Sequence, residues 1–567
     1  MTCTKLPKVA YFSMEMAIDQ SLSTYSGGLG FLAGSHMQSA GSLGLPMIGV
    51  TLLWSYGYYD QRIDHNSNVE VAYVRKHYDF LTDTNVMVDV EIFGQPVKVK
   101  VYKLEPEMFN TCPILLLTTD IPENPEEVRK ITHRLYDGNE KIRISQEIVL
   151  GIAGVRALLA TGYKFDTIHM NEGHALPAAF ELLKMSNGDL NKVKQKTVFT
   201  THTPVAAGNE VHRVDLLQQA GFFANTSRET AVGLGGEDFS LTVAALRMSR
   251  ISNAVSQLHG LVANKMWEWV EGRCPITAIT NAVNLRYWQD EKIKNSQSLD
   301  DLLDAKIEMK KELFNYIANQ TGKRFDPNVL TITWARRFAD YKRAWLILMD
   351  RDRICKLLNE NKIQLIFAGK FHPDDTMGRE MFNKILHQSN ELKNVVVLPN
   401  YELQLSAMLK KGTDVWLNTP LRPFEASGTS GMSANMNGAL HLSIYDGWTV
   451  EGTFNGINGY AVIYEGLDDD IPWEERHWKD HEYIMNLLEN DIIPTYYNNP
   501  KKWAYLMRQA IRISEGYFNS DRMVIEYYNR LYKPIAHGDS SNPDYEETEC
   551  QGMEDPNYDA WTYSNIK

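Results

Sequence analysis

The chain has 567 residues, which is too long for one hydrophobic core and indicates two or three domains. Its apolar fraction of 44% and charged fraction of 23% are typical of a soluble globular protein. A net charge of -13 argues against a nucleic-acid partner, since such binding depends on clustered Lys and Arg. The five cysteines are scattered without zinc-site spacing, and no segment resembles a secretory signal or a membrane span. We therefore expect a cytoplasmic protein with no metal site and no membrane partner.

The first predicted elements are a strand over 8–14, the glycine run at 27–30 and a helix over 31–43. A strand, a glycine turn and a helix in succession can present backbone N–H groups to a phosphate, although such glycines also form plain turns. Alternating apolar residues over 68–119 then predict β-hairpins that carry no chemistry.

Two apolar strands that follow a predicted helix over 139–161 end in polar residues. The strand FDTIHM ends at Asn171-Glu172-Gly173-His174, and TVFT ends close to His202. Open α/β sheets bind ligands at the carboxyl ends of their strands, so we expect these side chains to line a site. A histidine such as His202 is also common as a packed structural residue.

The segment 245–260, ALRMSRISNAVSQLHG, predicts one helix packed beneath this site, and AITNAVN then supplies Asn281. We place a domain boundary near Asn284, because the alternation of strands and helices begins again after the charged segment 290–311.

A strand in the second half, LTITWA, runs into four basic residues, Arg336, Arg337, Lys342 and Arg343. Planar Arg and point-charge Lys together suit a phosphate or a diphosphate, whereas many basic runs are only solvated surface. Two further buried strands, IQLIFA and VVVL, also end in polar groups, as expected for a parallel sheet.

The stretch 422–448 combines a carboxylate with a run of small residues before a predicted helix. We expect Thr429 or Ser430 to cap this helix, whose first N–H groups would receive an anion, and Glu425 to hold sugar hydroxyls. A long helix is predicted over 503–532. The acidic tail from 537 is predicted to be mobile or a contact arm.

Several of these motifs together resemble one family. EASGTSGM with NGAL, NEGHA, THTP and RRFADYKR is similar to the α-glucan phosphorylases, the glycogen and starch phosphorylase family, and GGLG with GLPMIGVTLLW resembles its short bacterial and archaeal type. The resemblance implies the α/β GT-B glycosyltransferase fold, in which two Rossmann-like domains face each other across a cleft. The expected divisions are an acceptor-side domain with inserted hairpins (1–283), a donor-side domain (284–512), a helix that crosses back (513–536) and the tail (537–567).

The same resemblance implies roles for individual residues. The implied catalytic residues are His202, Arg337, Lys342 and Glu425. The implied donor- and phosphate-binding residues are Gly28, Leu29, Arg337, Lys342, Ser427, Gly428, Thr429, Ser430 and Gly431. The implied sugar-binding residues are Glu172, His174, His202, Asn281 and Glu425.

The chain departs from the family at the residue after GM, where the family has a lysine that holds pyridoxal phosphate as an imine. Here the residue is Ser433, and a hydroxyl cannot form an imine. Ala282, where the family usually has glycine, and Asn284 are further departures. We therefore expect no covalent cofactor and at most noncovalent pyridoxal phosphate.

These residues predict a retaining hexosyltransferase that uses a carbohydrate acceptor and a phosphate-bearing donor, either a nucleotide sugar or a sugar phosphate. The alternatives are an α-1,4-glucan phosphorylase that releases glucose 1-phosphate, and a catalytically silent glucan-binding or regulatory protein. A hydrolase is disfavoured, since no carboxyl spacing suits it. The family also suggests a homodimer.

Overall fold

The computed structural model describes residues 6–205, 208–466 and 471–533. The acidic tail predicted from 537 onward lies outside the described residues. Helices and strands alternate along most of both halves of the chain, and two separate sheets form, the first mixed and the second parallel. Within the described ranges no helix combines the length and the apolar character needed to cross a membrane.

The first sheet has nine strands in the order β13-β12-β9-β8-β1-β2-β7-β6-β5. The strands of this half, including two small antiparallel ribbons, are β1 (Val9–Phe12), β2 (Met47–Leu52), β3 (Asp60–Ile63), β4 (Val69–Ala72), β5 (Thr82–Ile92), β6 (Gln95–Leu104), β7 (Ile114–Thr118), β8 (Thr167–Asn171), β9 (Thr197–Thr200), β10 (Val211–Arg213), β11 (Asp238–Ser240), β12 (Ile251–Ala254) and β13 (Ile276–Ala278).

The hairpins predicted over 68–119 are confirmed, and they extend the first sheet. β5 and β6 pair antiparallel around the turn at Phe93-Gly94, and β6 pairs antiparallel with β7, which is itself parallel to β2. The two ribbons are β3 with β4 and β10 with β11.

The second sheet has six parallel strands in the order β16-β15-β14-β17-β18-β19. They are β14 (Leu330–Ala335), β15 (Ile363–Ala368), β16 (Val395–Leu398), β17 (Val415–Asn418), β18 (Leu440–Ile444) and β19 (Gly459–Val462). Because both faces carry helices, these strands are buried and rich in β-branched and aromatic residues. The mixed α/β class predicted from the sequence is confirmed.

Helices cover both sheets. They are α1 (Gly28–Ser42), α2 (Pro106–Phe109), α3 (Glu126–Arg129), α4 (Glu140–Ile148), α5 (Gly154–Ala160), α6 (Pro177–Met185), α7 (Leu190–Lys196), α8 (Val214–Ala220), α9 (Arg228–Gly235), α10 (Leu241–Met248), α11 (Gln257–Met266), α12 (Leu285–Trp288), α13 (Glu291–Asn295), α14 (Leu299–Thr321), α15 (Arg351–Asn359), α16 (Thr376–Glu391), α17 (Leu403–Gly412), α18 (Thr429–Asn435), α19 (Thr449–Gly452), α20 (Trp473–Leu487), α21 (Ile493–Asn498), α22 (Pro500–Gly516) and α23 (Ser520–Tyr527).

Each half has its own apolar core between its sheet and its helices. Phe12, Leu117 and Phe180 belong to the first core, and Trp334 and Phe367 belong to the second. The two sheets fall on either side of the predicted boundary near Asn284. The division of the chain into numbered domains stays a prediction.

One predicted helix is wrong. The segment 245–260 contains the end of α10, the strand β12 and the start of α11. The backbone leaves the helical region at Ser249, and β12 then pairs with β9 on one side and β13 on the other. The apolar and polar residues fit a helical period, but the open position between two strands decides the outcome.

The predicted C-terminal helix over 503–532 is divided into two helices, α22 and α23, by a short break. After the break the chain returns to the first half, where the Ser520 N–H donates to the Val283 carbonyl at 3.0 Å. α23 then packs on α1, and Tyr532 reaches His169 Nδ1 at 2.7 Å. This helix therefore ties the second half of the chain to the first.

Candidate functional site

A cavity of about 930 Å³ lies between the two halves, at the carboxyl ends of strands from both sheets. This is where open α/β sheets bind ligands. Its lining includes most of the predicted site residues, namely Gly28, Leu29, Glu172, His174, His202, Asn281, Arg337, Lys342, Glu425, Ser427, Gly428, Thr429 and Ser430. Gly431 and Ser433 are absent from this lining.

One wall of the cavity is formed by residues of the predicted donor-side domain, 284–512, and is called the donor-side wall here. It is built on an ion-pair cluster around Glu425. One carboxylate oxygen, Oε2, accepts from Arg336 Nη2 at 2.7 Å and from Lys342 Nζ. Burial alone would raise the pKa of Glu425, but the charges of Arg336 and Lys342 lower it to about 2. Glu425 is therefore an anion at neutral pH.

A second carboxyl group, Asp446, supports the backbone beside this cluster. Its Oδ2 accepts from the Glu425 N–H and its Oδ1 from the Gly447 N–H, both at 2.9 Å. Burial raises the pKa of Asp446 to about 7, and the neighbouring Glu425 charge adds to the rise. Asp446 thus fixes the position of Glu425 from behind.

The four basic residues after β14 divide into three environments. Arg336 and Lys342 pair with Glu425, whereas Arg337 is exposed to the cavity. Arg343 is buried and donates to the Thr419 and Pro420 carbonyls and to Asp480, so it has a structural role. Successive side chains of an extended chain point to opposite sides, which explains why Arg336 and Arg337 differ.

The small-residue loop begins α18, but its start differs from the prediction. Thr429 is the first helical residue, and Gly428 precedes it with a φ of 89° and no capping side chain. Ser430 Oγ instead accepts from Trp416 Nε1 at 3.1 Å. The predicted cap by Thr429 or Ser430 is therefore wrong, because a left-handed glycine makes the turn.

Gly431 and Ser433 lie behind the cavity wall. A Cβ at Gly431 would come within 2.7 Å of His441 and 2.8 Å of Trp448, so this glycine permits close packing. Ser433 is fully buried, and its Oγ donates to the Thr429 and Ser430 carbonyls at 3.3 and 3.1 Å. The structure does not place Gly431 at the anion position predicted for it.

The glycine turn at the start of α1 faces the cavity and is held by Glu15, a residue that sequence analysis did not identify. Glu15 Oε2 accepts from the Ser26 N–H at 2.6 Å and the Gly27 N–H at 3.1 Å, and Oε1 accepts from Tyr136 at 2.8 Å. The N–H groups of Gly28 and Leu29 have no acceptor among the described residues, as the first turn of a helix allows. They are available to an anion.

The acceptor-side wall is built where β8 and β9 end. The Glu172 carboxylate accepts from the His202 N–H, from Thr203 Oγ1 at 3.2 Å and from the Gly173 N–H at 3.3 Å. His202 Nε2 lies 2.7 Å from Asn171 Oδ1. The neighbouring strands thus bring the two predicted polar clusters into direct contact.

Burial favours the neutral forms of Glu172, His174 and His202 in this wall. It raises the pKa of Glu172 from 4.5 to about 7 and lowers the pKa values of His174 to about 4 and of His202 to about 3. Within the described chain, His174 Nδ1 and Asn281 Oδ1 are buried without a hydrogen-bond partner. These two atoms are available to a hydrogen-bonding ligand in the cavity.

Contacts between the halves close one side of the cavity. Lys370, which follows the strand IQLIFA by two residues, donates to the Tyr59 carbonyl at 2.6 Å and to Glu402 Oε1 at 2.8 Å. On the loop side, Ser256 Oγ donates to the Ala426 carbonyl at 2.6 Å. The only sequence signal for Lys370 was its position as a basic residue just after an apolar strand.

Comparison with known proteins agrees with this architecture. The family model for carbohydrate phosphorylase matches residues 276–455. The chain is 46% identical to an uncharacterized protein of Methanocaldococcus jannaschii, over 92% of this chain and 99% of that protein. It is 36% identical to maltodextrin phosphorylase of Thermococcus litoralis and 32% identical to glycogen phosphorylase of Mycobacterium tuberculosis, in each case over 93% of this chain and 71% of the relative. With two α/β domains around a cleft of the GT-B type, this chain belongs to the carbohydrate phosphorylase family.

Proposed function

We propose that this protein is a retaining hexosyltransferase that moves a glucosyl-type group between a phosphate-bearing donor and a glucan or other sugar acceptor, without covalently held pyridoxal phosphate. A nucleotide sugar is the donor that we favour. The observation that carries the proposal is Ser433, a buried hydroxyl at the position that matches the family's lysine by motif.

Nearby amines do not replace the missing lysine. The lysines in the described lining of the cavity are Lys342 and Lys370, and both are ion-paired, with Glu425 and Glu402 respectively. Imine formation needs a neutral amine, which an ion pair with a carboxylate disfavours. The Ser433 hydroxyl is itself directed at backbone carbonyls. These residues do not fit a lysine-bound cofactor.

The donor-side wall retains what a phosphate leaving group needs. Arg337 is exposed to the cavity, Lys342 lies beside it, and the free N–H groups of Gly28 and Leu29 face it from the other half. Positive groups fixed in advance stabilise the charge that develops on a departing phosphate. A purely glucan-binding protein has no use for such a site, which argues against the silent alternative.

The acceptor-side wall supplies neutral hydrogen-bonding groups. His174, His202 and Asn281 would hold sugar hydroxyls, and the Glu425 anion lies across the cavity from them. The described residues show no carboxylate nucleophile with a second acid opposite it, so the chemistry depends on orienting the donor and stabilising its phosphate.

Aromatic rings beside the cavity favour a nucleotide donor. Phe424 lines the cavity and packs edge-on against Tyr341 and against Trp473, with ring centroids at 6.4 and 6.0 Å. Trp473 is 58% exposed. Exposed rings of this kind can stack on a nucleobase.

A donor screen tests the proposal. The full chain is incubated with a maltooligosaccharide and, separately, UDP-, ADP- and GDP-glucose, or glucose 1-phosphate with added pyridoxal phosphate, and acceptor length is followed. Elongation from a nucleotide sugar is the expected result. Elongation from glucose 1-phosphate alone would support the second candidate, an α-1,4-glucan phosphorylase, which the names of the Thermococcus litoralis and Mycobacterium tuberculosis relatives favour.

A further inference from the structure

A second cluster of ionisable side chains lies at the edge of the cavity, away from the donor-side wall. Glu147 is on α4, Glu210 directly precedes β10, and His212 is within β10. One ligand atom from each of the three side chains lies within 4.8 Å of the others. We propose that Glu147, Glu210 and His212 form a binding site for a divalent cation of the zinc or manganese class.

Local structure explains why these residues meet. Glu140, Arg143 and Glu147 are spaced three and four residues apart, so they share one face of α4. Glu210 and His212 are two residues apart in extended chain and share one face of the strand. The helix face and the strand face then pack against each other.

The ligand atoms are left without partners by the rest of the protein. Glu147 has a fully buried side chain, and within the described residues its carboxylate oxygens accept no hydrogen bond from a group outside the cluster, although the Glu210 carboxyl lies within hydrogen-bond reach. Glu210 Oε2 and His212 Nε2 are also buried and unpartnered there. Buried carboxylates normally have hydrogen bonds or counterions, so a charged ligand would account for these atoms.

His212 is oriented as metal-binding histidines usually are. Its Nδ1 lies 2.8 Å from Glu140 Oε1, which leaves Nε2 directed into the cluster. A carboxylate on the far nitrogen of a ligating histidine fixes the tautomer and raises the basicity of the ligand. The Glu140 contact is therefore an observation independent of the acidic pair.

The charges near the cluster also favour a cation. Arg143 Nη2 donates to Glu210 Oε1 at 2.7 Å, while its Nε stays 3.9 Å from Glu147. One guanidinium thus faces two carboxylates. A proton or a cation has to compensate this pair.

The donor set indicates which cation. One imidazole with two carboxylates suits zinc or manganese better than magnesium, which prefers oxygen ligands and water. Ligands about 2.1 Å from a tetrahedral ion lie about 3.4 Å apart, so atoms at the 4.8 Å limit need to approach each other by about 1.4 Å, which side-chain rotation can supply. Glu210 and His212 line the cavity, which gives the ion a route of entry and leaves its remaining positions open.

Calorimetric titration of the chelator-treated full chain with Zn²⁺, Mn²⁺ and Mg²⁺ tests the proposal. We expect one Zn²⁺ or Mn²⁺ per chain and much weaker Mg²⁺ binding. Glu147→Gln should lose this site, with affinity reduced at least about 100-fold, and Glu140→Gln should keep the stoichiometry but bind about 10- to 100-fold more weakly. An exposed histidine elsewhere, changed in His65→Gln, should leave binding unchanged.

Glu147→Gln distinguishes a bound cation from a proton shared between Glu147 and Glu210. The side-chain amide that this substitution introduces can donate to Glu210 as a protonated Glu147 would, so a shared proton predicts an unaltered protein. If the wild type binds none of these ions, or if the E147Q variant binds them as the wild type does, the proposal is wrong. Should E147Q fail to fold by circular dichroism, His212→Gln replaces it with the same criteria.

Discussion

The two walls of the cavity differ in how their charges are balanced. On the donor side, Glu425 is held as an anion between Arg336 and Lys342, and Arg337 remains exposed to the cavity. On the acceptor side, burial keeps His202 neutral and brings the pKa of Glu172 to about 7. A wall of permanent charges suits a phosphate, whereas a wall of neutral groups suits sugar hydroxyls.

The largest expected effect comes from removing the anion at the centre of the donor wall. Glu425→Ala leaves Arg336 and Lys342 unpaired, and breaking a buried ion pair in this way costs about 3–5 kcal/mol of unfolding free energy. Because water reaches the cavity, we expect a loss of about 3 kcal/mol, together with loss of turnover and retained glucan binding. Urea unfolding and acceptor titration measure the two effects. If E425A were as stable as the wild type, Glu425 would not be held in a stabilising ion pair. If E425A lost glucan binding as well as turnover, Glu425 would serve the acceptor as well as the donor.

Lys342→Ala tests the donor wall by its chemistry. Removal of one preorganised cation should reduce kcat about 10²- to 10³-fold while acceptor affinity is unchanged. The control is Lys356→Ala, an exposed lysine on α15, which should behave as the wild type. Intact turnover in K342A would remove the argument for a phosphate site.

Glu172→Gln tests the charge state of the acceptor-side wall. Burial raises the pKa of Glu172 from 4.5 to about 7, so the folded state prefers the protonated form. The stability contributed by this group is fully present below pH 4.5 and is lost as the pH rises toward 7. The unfolding free energy of the wild type relative to E172Q should therefore fall by about 3 kcal/mol across this window.

Urea unfolding between about pH 4 and pH 8 measures this difference, and Glu268→Gln, an exposed change, serves as the control that follows the wild type. Parallel curves for the wild type and E172Q would mean that Glu172 is ionised in the folded protein. The acceptor wall would then carry a charge like the donor wall.

The smallest expected effect concerns the loop before α18. Gly428 has a φ of 89°, and a Cβ there would lie at ordinary contact distance, 3.5 Å, from Glu425. Gly428→Ala should therefore cost about 1–2 kcal/mol through the backbone alone. Gly44→Ala, with a φ of 63° and open space, should cost a similar amount and leave turnover unchanged. Thermal unfolding measures the stability of both variants, and kcat measures their turnover. If the Gly428 backbone also helps to bind the donor, only G428A has a lower kcat.

Much of the fold was predictable from the sequence because apolar, β-branched runs mark the buried strands. Val9–Phe12 and Leu330–Ala335 are examples, and the polar residues after such strands do meet at the cavity. The strand Ile251–Ala254 was missed because its apolar residues also fit a helical period. Only its pairing with two neighbours decides the outcome.

The site was predictable in its residue types but less so in its pairings. The basic motif indicated a phosphate site, yet no local pattern indicated that Arg336 would pair with Glu425 while Arg337 stayed exposed. Glu15 was missed because its hydrogen bonds to the glycine turn depend on the tertiary fold. Gly431 packs closely against His441 and Trp448, which a short motif does not show, and its predicted contact with an anion stays a prediction.

We propose that glycosyl transfer by this protein proceeds without pyridoxal phosphate bound to a lysine. The most direct test measures acceptor elongation by protein that has been treated with hydroxylamine and dialysed, with and without added pyridoxal phosphate, followed by borohydride reduction and mass analysis. We predict equal turnover in both samples and no pyridoxyl group on any lysine. Turnover that requires pyridoxal phosphate, or a reduced adduct on a lysine of the chain, would mean that the protein uses a lysine-bound or otherwise essential cofactor and that the proposal is wrong.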